Sequence, residues 1–267
     1  MKKVFIIILN YNGGEDTVKC LTSLSEAKIL DQAKIIIVDN ASTDNSVELI
    51  KKNFPSIKII QNKKNLGFAG GNNVGIKDAL QRGADYALLL NTDTLVKKNI
   101  LTSLVKHLES DETFGIAAPA IEFKINNESL YDLGGKVNWF TGRTTHNDVK
   151  KIPSWKEPIK VEFVTGACML IKKEVFEKIG LLDERFFMFF EDADFCLRAR
   201  KAGYSTWVVP EAQIYHKLSA SVNKTPKKYQ YLLKSNLKFI NKHLNTIFKP
   251  IGYLYLLLLA FKIKFKI

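Results

Sequence analysis

The chain has 267 residues, 46% hydrophobic and 25% charged, with 15 glycines and 7 prolines. That balance fits one or two globular domains and excludes a disordered chain, a collagen-like repeat and a polytopic membrane protein. The net charge of +13 is uneven: Lys217–Ile267 holds eleven lysines and no acidic residue, so only +2 falls on the first 216 residues. A nearly neutral body with a basic tail points the tail at an anionic surface, whether phospholipid, nucleic acid or polyphosphate. Cys20, Cys168 and Cys196 are odd in number and far apart, which argues against a disulfide framework or metal knuckle and favours a reducing compartment.

Lys3–Leu9 is an apolar run ending in a turn signal, Asn-Tyr-Asn-Gly-Gly. Its core, Val4 to Leu9, is too short for a signal-peptide h-region, and the run reads as a buried first strand. Helical spacing follows over Glu15–Ala27, then a second buried strand over Ala33–Val38. Ser46–Asn53 reads as a helix with Thr43 or Asp44 as N-cap. Ile57–Ile60 is a short strand, and residues 65–73 form a Gly/Asn loop running into a helix to about Arg82. Asp85–Leu90 is a fourth strand. Between about Pro119 and Pro158, scattered Gly and Asn predict turns and short antiparallel strands. Val161–Lys172 reads as a strand broken at Gly166, Glu174–Ile179 as a short helix, Asp192–Lys201 as a helix and Ser205–Val209 as a strand, with His216 just beyond. Apolar strands alternating with helices predict an α/β fold with a mostly parallel sheet covered on both faces.

In such a sheet, ligands bind beyond the carboxyl ends of the strands. Here those ends carry Asn10 and Asn12, then Asp39, then Asn91 and Asp93. Asp39 offers an acceptor to a base N–H or a ribose hydroxyl, or merely closes an Asx turn. The glycines of residues 67–75 either let backbone amides approach a ligand or simply form a tight strand-to-helix turn. Asp93 is a candidate for a hard divalent cation, with His216 as a possible imidazole ligand or a structural histidine. Glu191, Asp192 and Asp194 open a helix, where acids are favoured by the helix dipole. The dipole does not explain the Phe-Phe-Met-Phe-Phe run in front of them. An apolar wall raises a carboxyl pKa and makes a better base. Arg198, at i+4 from Asp194, offsets that acid, and Asp192 is left as the freest candidate base.

Five motifs in order, IIILNYNG, VDNASTDNS, NLGFAGGNNVGI, LLLNTDT and FFMFFEDADFCLRARKAG, resemble glycosyltransferase family 2, in its rhamnosyltransferase-like branch acting on cell-surface polysaccharides. The resemblance covers about residues 3–218. It implies a GT-A fold, and inverting transfer of a sugar from a nucleotide diphosphate donor (dTDP-rhamnose or a UDP-sugar) to a hydroxyl of a polysaccharide or lipid-linked acceptor. By motif match Asn10, Asp39, Asn65, Gly67 and Asn72 lie near the nucleotide, Asp93 and His216 hold Mg²⁺ or Mn²⁺, and Asp192 is the general base, flanked by Glu191 and Asp194. The family's DxD is here Asn91-Thr92-Asp93, with one carboxylate missing.

A catalytic domain over residues 1–220 and a basic helical extension over 221–267 are expected. From Tyr229 apolar residues at helical spacing alternate with lysines, and Pro250 breaks or kinks the helix. The apolar run Ile251–Phe261 is too short to span a bilayer and, bracketed by lysines, suits an interfacial helix on anionic lipid at the cytoplasmic face of the cell membrane. The alternative is a tail packed on the catalytic domain or on a second subunit of a homodimer. Three competing functions are a sugar-nucleotide nucleotidyltransferase, a nucleic-acid-binding protein and an inactive scaffold. The first favours an N-terminal Gly-rich loop with a basic residue, the second a basic body with interleaved aromatics, and the presence of Asp39, Asp93 and Asp192 argues against the third. No nucleic-acid partner is expected.

Overall fold

The computed structural model describes residues 2–152, 157–218 and 225–265. The expected domain boundary at 220/221 lies outside them, as does Lys266, one of the lysines that bracket the apolar run Ile251–Phe261.

Among the described residues eleven strands form one sheet, in the order β3-β2-β1-β4-β10-β6-β11-β5, with β7 and β8 extending from β6 and β9 from β11. β1 (Val4–Asn10), β2 (Ala33–Asp39), β3 (Lys58–Gln61) and β4 (Tyr86–Asn91) are parallel. They alternate with α1 (Gly14–Glu26), α2 (Ser46–Asn53) and α3 (Gly67–Gln81). Beyond β4 the sheet is mixed: β10 (Cys168–Lys172) runs antiparallel between β4 and β6 (Phe114–Ile125), and β11 (Ser205–His216) runs parallel to β6 and antiparallel to β5 (Thr94–Val96) and β9 (Ile159–Val161).

The unbroken apolar run of β1 follows from burial on both faces. Phe5 and Ile7 face a core shared with α3, α5 (Lys173–Ile179) and α6 (Glu191–Lys201). Val4, Ile6 and Ile8 face a second core shared with α1, α2 and α4 (Ile100–Glu109). The sequence reading passed over α4, although Leu101, Leu104 and Leu108 lie on one helical face and are buried.

Three other elements differ from expectation. The stretch after Pro119 forms long strands: β6 pairs with β7 (Glu128–Asn138), and β7 with β8 (Arg143–Val149). Pro119 is tolerated inside β6 because its partner β11 shifts register immediately after Val209, where a missing donor costs no ladder bond. The N-cap of α2 is Asn45, while the Asp44 carboxylate accepts from the Ser46 N–H at 3.1 Å. The Gly-rich segment is largely helix. A Cβ at Gly75 would lie 2.5 Å from Ile7 Cγ2, and one at Gly71 2.4 Å from Leu9 Cδ1, so these glycines let α3 settle closely on β1.

The C-terminal extension has two parts. α7 (Pro226–His243) buries Ser235, Asn236, Phe239, Ile240 and His243, and Phe239 belongs to the core shared with α6. Its Ser235 hydroxyl donates to the Met188 carbonyl at 2.8 Å. α8 (Lys249–Lys264), with Pro250 in its first turn, buries only Gly252, which packs against Ile240 and Leu244. Ile251, Leu254, Leu257, Leu258, Phe261 and Phe265 are exposed. The helical stretch Thr246–Lys264 is 19 residues long, apolar enough to cross a membrane by length and composition; it outruns the eleven apolar residues read from sequence because the helical turns begin at Thr246, ahead of Pro250, and continue to Lys264.

Candidate active site

Register assembles the site. In the parallel sheet Asn10 pairs with Asp39, and Leu9 with Asn91, so the ends of β1, β2 and β4 meet at one edge. The antiparallel β5–β11 pairing sets Thr94 against His216, which brings His216 Nε2 to 3.0 Å from Asp93 Oδ1. Both side chains are nearly buried. No group of three or more His, Cys, Asp or Glu that could hold a metal occurs among the described residues.

At the β1 and β2 ends, Asn10 and Asp39 are buried and bonded: Asn10 Nδ2 donates to Asp39 Oδ1 at 2.8 Å and to Ser42 Oγ at 3.0 Å, and Thr17 Oγ1 donates to Asn10 Oδ1 at 3.0 Å. Ser42 donates to Asp39 from both its hydroxyl and its backbone N–H. Asn12 lies at the rim in left-handed backbone, its Oδ1 accepting from the Thr43 N–H at 2.8 Å. Asn40, overlooked in the sequence, ties this edge to α3: its Nδ2 donates to Asn65 Oδ1 and the Gly67 carbonyl, and its Oδ1 accepts from Asn62 and the Leu66 N–H. Asn72 is buried and spends its Nδ2–H on the Phe68 carbonyl, one helical turn back.

The Phe-Phe-Met-Phe-Phe segment is anchored here through Gly67. Gly67 has φ +73°, and a Cβ on it would stand 2.3 Å from the Phe187 carbonyl oxygen; the next residue, Phe68, donates its N–H to that oxygen at 2.7 Å. Phe189 and Phe190 both have positive φ, 70° and 68°. Bulky residues in that region cost about 1–3 kcal/mol each and persist where surrounding structure over-determines them, commonly at functional sites. The twist starts α6 at the sheet edge, with its acids in the first turn.

The three acids diverge. Asp192 lines a cleft of about 830 Å³ together with Asn91, His216 and the aromatic run. Its Oδ2 accepts from the Gly166 N–H at 3.0 Å and its Oδ1 from the Ala193 N–H at 2.7 Å. Burial raises its pKa, and the backbone donors and His146 offset only part of the rise. Glu191 also borders the cleft; burial, then the neighbouring Asp192, hold its carboxyl well above the usual range, and its Oε2 lacks a hydrogen-bond partner. Asp194 is taken up elsewhere. Fully buried, it meets Arg198 Nε at 2.8 Å, Lys242 Nζ at 2.6 Å and His243 Nε2 at 2.7 Å. Burial alone would raise its pKa, but His243, Lys242 and Arg198 outweigh burial and hold it below the carboxylate norm.

The cleft therefore joins Asn91, Asp192, Glu191 and His216, while Asn10, Asp39, Asn40 and Asn65 form a connected polar edge beside it. The antiparallel strands expected in this stretch are present, but their register was not legible: β7–β8 puts Asp132, His146 and Asp148 into the same cleft. Their positions in the long strands of the unpatterned middle gave no periodic signal.

The family model described as glycosyl transferase family 2 matches residues 5–180. The chain is 29% identical over 245 residues to the low-salt glycan biosynthesis hexosyltransferase Agl10 of Haloferax volcanii, covering 91% of this chain and 76% of that protein. It is 23% identical over 244 residues to the N-acetylglucosaminyl-diphospho-decaprenol L-rhamnosyltransferase of Mycobacterium tuberculosis, covering 83% and 78%. Among solved structures, GalNAc-T7 with UDP, GalNAc and Mn²⁺ superposes with a TM-score of 0.67 at 17% identity, over 89% of this chain. This chain spans about half of that one, 48%, and the likeness is one of fold. With well over half its length matched, the chain belongs to glycosyl transferase family 2 and is a rhamnosyltransferase-like glycosyltransferase of the GT-A fold.

Proposed function

We propose that the protein transfers a sugar, with rhamnose from dTDP-rhamnose the first candidate, from a nucleoside diphosphate to a hydroxyl of a lipid-linked or polysaccharide acceptor, with inversion. The observation that carries this reading is Asp192: a carboxylate of raised pKa in an aromatic-walled cleft, beside the strand ends that end in Asn10, Asp39 and Asn91. Asp39, Asn10 and Asn12, with Asn65, Gly67 and Asn72 behind them, bind and orient the nucleoside. Asn91 donates to the ribose or the diphosphate. Asp192 accepts the proton of the acceptor hydroxyl as its oxygen attacks the anomeric carbon from the face opposite the diphosphate. One base and one displacement give inversion without a covalent intermediate. Burial and the neighbouring Asp192 hold the Glu191 carboxyl toward its protonated form, which leaves Asp192 as the base of the pair.

Asp93 and His216 fit a divalent cation. Their oxygen and imidazole nitrogen lie 3.0 Å apart, a spacing that two neighbouring ligands of one cation also take, and two protein ligands suit Mg²⁺ or Mn²⁺, which take remaining ligands from phosphate oxygens and water. Such a cation would neutralise charge developing on the leaving diphosphate. That likewise matches GalNAc-T7, solved with UDP and Mn²⁺. A thermal-shift screen with Mg²⁺ or Mn²⁺ tests the reading, comparing dTDP-rhamnose, UDP-glucose, UDP-galactose, UDP-N-acetylglucosamine and GDP-mannose. A donor at about 100 times its Kd stabilises the fold by about 2.7 kcal/mol. We expect one donor to give a metal-dependent shift that Asp93→Ala removes. A shift equal in EDTA and in metal contradicts the metal site.

The acceptor reading also gives α8 a task. Ile251, Leu254, Leu258, Phe261 and Phe265 form one outward stripe at helical spacing, flanked by Lys249, Lys262 and Lys264. Gly252 holds the opposite side against α7. A helix so docked lies along an anionic membrane at the cytoplasmic face rather than through it. In flotation assays the protein should bind vesicles containing phosphatidylglycerol and not pure phosphatidylcholine, and Leu258→Asp with Phe261→Asp should abolish binding. Equal flotation of the double variant contradicts the docking.

A further inference from the structure

Across the cleft from α6, hairpin β7–β8 carries a cluster that the transfer chemistry does not use. His146 Nδ1 lies 2.9 Å from Asp132 Oδ2, while Asp132 Oδ1 accepts from the Gly134 N–H at 2.8 Å. Asp132 is therefore fully committed and nearly buried, yet the His146 side chain is 40% exposed and borders the cleft. With Nδ1 held, Nε2 is the ring atom that a ligand can reach, and no partner for it occurs among the described residues.

Two further features resist a purely structural reading. Asp148 stands directly opposite Asp132 in the β7–β8 register, and like charges in facing positions are destabilising. Gly135, opposite His146, has no room for a side chain: a Cβ would fall 2.3 Å from Phe163 Cζ. That space lets the Phe163 ring support the imidazole edge-on, with centroids 5.2 Å apart. Burial would lower the His146 pKa, but Asp132, then Asp192 and Asp148, outweigh it and push it up to about 9. The imidazole is thus a fixed, charged donor, and Asp148 an exposed acceptor two residues along the same strand.

A charged donor and an acceptor set beside aromatic faces (Phe163, Phe189, Tyr231) match a sugar ring, which offers hydroxyls at its edge and C–H groups on its face. We propose that Asp132–His146 and Asp148 grip the acceptor sugar: His146 Nε2–H donates to one acceptor oxygen, Asp148 accepts from a neighbouring hydroxyl, and Asp132 is the positioning residue that holds His146. This grip rests on the transferase reading above, because it presents the bound hydroxyl to Asp192.

The test uses the full chain with dTDP-rhamnose and a short-chain N-acetylglucosaminyl diphospho-lipid as acceptor probe. His146→Gln and Asp148→Asn should each raise the acceptor KM about tenfold or more. The donor thermal shift should stay at wild-type level in both, and so should the slow release of dTDP to water without acceptor in Asp148→Asn. Asp132→Asn should act in the same direction as His146→Gln, and the double variant Asp132→Asn/His146→Gln should add little. Asp148 is exposed, so Asp148→Asn reports on binding even if the hairpin tolerates no change at His146. Wild-type acceptor KM in both His146→Gln and Asp148→Asn overturns the grip while the transferase reading stands. A wild-type chain that neither binds nor turns over any donor overturns that reading, and the grip with it.

Discussion

Asp192→Asn should reduce transfer by about 10²–10⁴-fold, the range that a positioned general base contributes, and should leave donor binding intact. The amide keeps the size of the carboxyl and accepts from one of the Gly166 and Ala193 N–H groups, but it takes no proton. The wild-type pH profile should agree. A base acts when deprotonated, and burial raises the Asp192 pKa. So kcat/KM should rise with pH through a pKa above the ordinary aspartate value, and Asp192→Asn should lose that limb. Initial rates across pH, with a donor thermal shift for each protein, check both. Turnover above a few per cent of wild type in Asp192→Asn contradicts the assignment.

The second large effect falls on stability. Asp194→Asn leaves Arg198, Lys242 and His243 facing one another around a buried site. Breaking a buried ion pair on one side costs about 3–5 kcal/mol, and urea unfolding should show a loss of that size. Asp194 joins α6 to α7, so its loss should weaken the seat of the C-terminal helices. The folded pKa of Asp194 lies below the unfolded one. Its contribution is therefore complete above the ordinary aspartate pKa and is lost as pH falls through the depressed folded value. Wild type should lose stability on acidification over that window, and Asp194→Asn should lose less. A variant within about 0.5 kcal/mol of wild type at neutral pH, where surface substitutions fall, contradicts the buried cluster.

What the sequence disclosed followed the strength of its local patterns. β1, β2 and β4 are continuous apolar runs closed by polar turns, and they stand within a residue or two of where the pattern puts them. Polar residues at their ends were legible because a parallel sheet forces strand ends to one edge. The Asp194–Arg198 pairing followed from i+4 spacing and is found at 2.8 Å. Its further partners Lys242 and His243 arrive from α7, 48 and 49 positions away, and no local pattern announces them. The glycines of α3 left open a ligand loop or a tight strand-to-helix turn; Gly71 and Gly75 serve helix-on-sheet packing, which only the position of β1 reveals. The acids of β7–β8 meet the cleft through strand register, and a run without alternation does not fix register. The split of the tail into packed α7 and outward α8 depends on Gly252 meeting Ile240, again a contact between distant positions.

The nucleotidyltransferase and nucleic-acid readings yield to the family match over residues 5–180. What then characterises the proposed enzyme is a single displacement served by one base. The most direct measurement is proton NMR of the transfer reaction from its first minutes, reading the anomeric configuration of the newly formed glycoside. A single displacement gives the anomer opposite to that of the donor, with none of the retained anomer at any time. A product that first appears with the donor's own configuration would contradict it and would require a second nucleophile in the cleft.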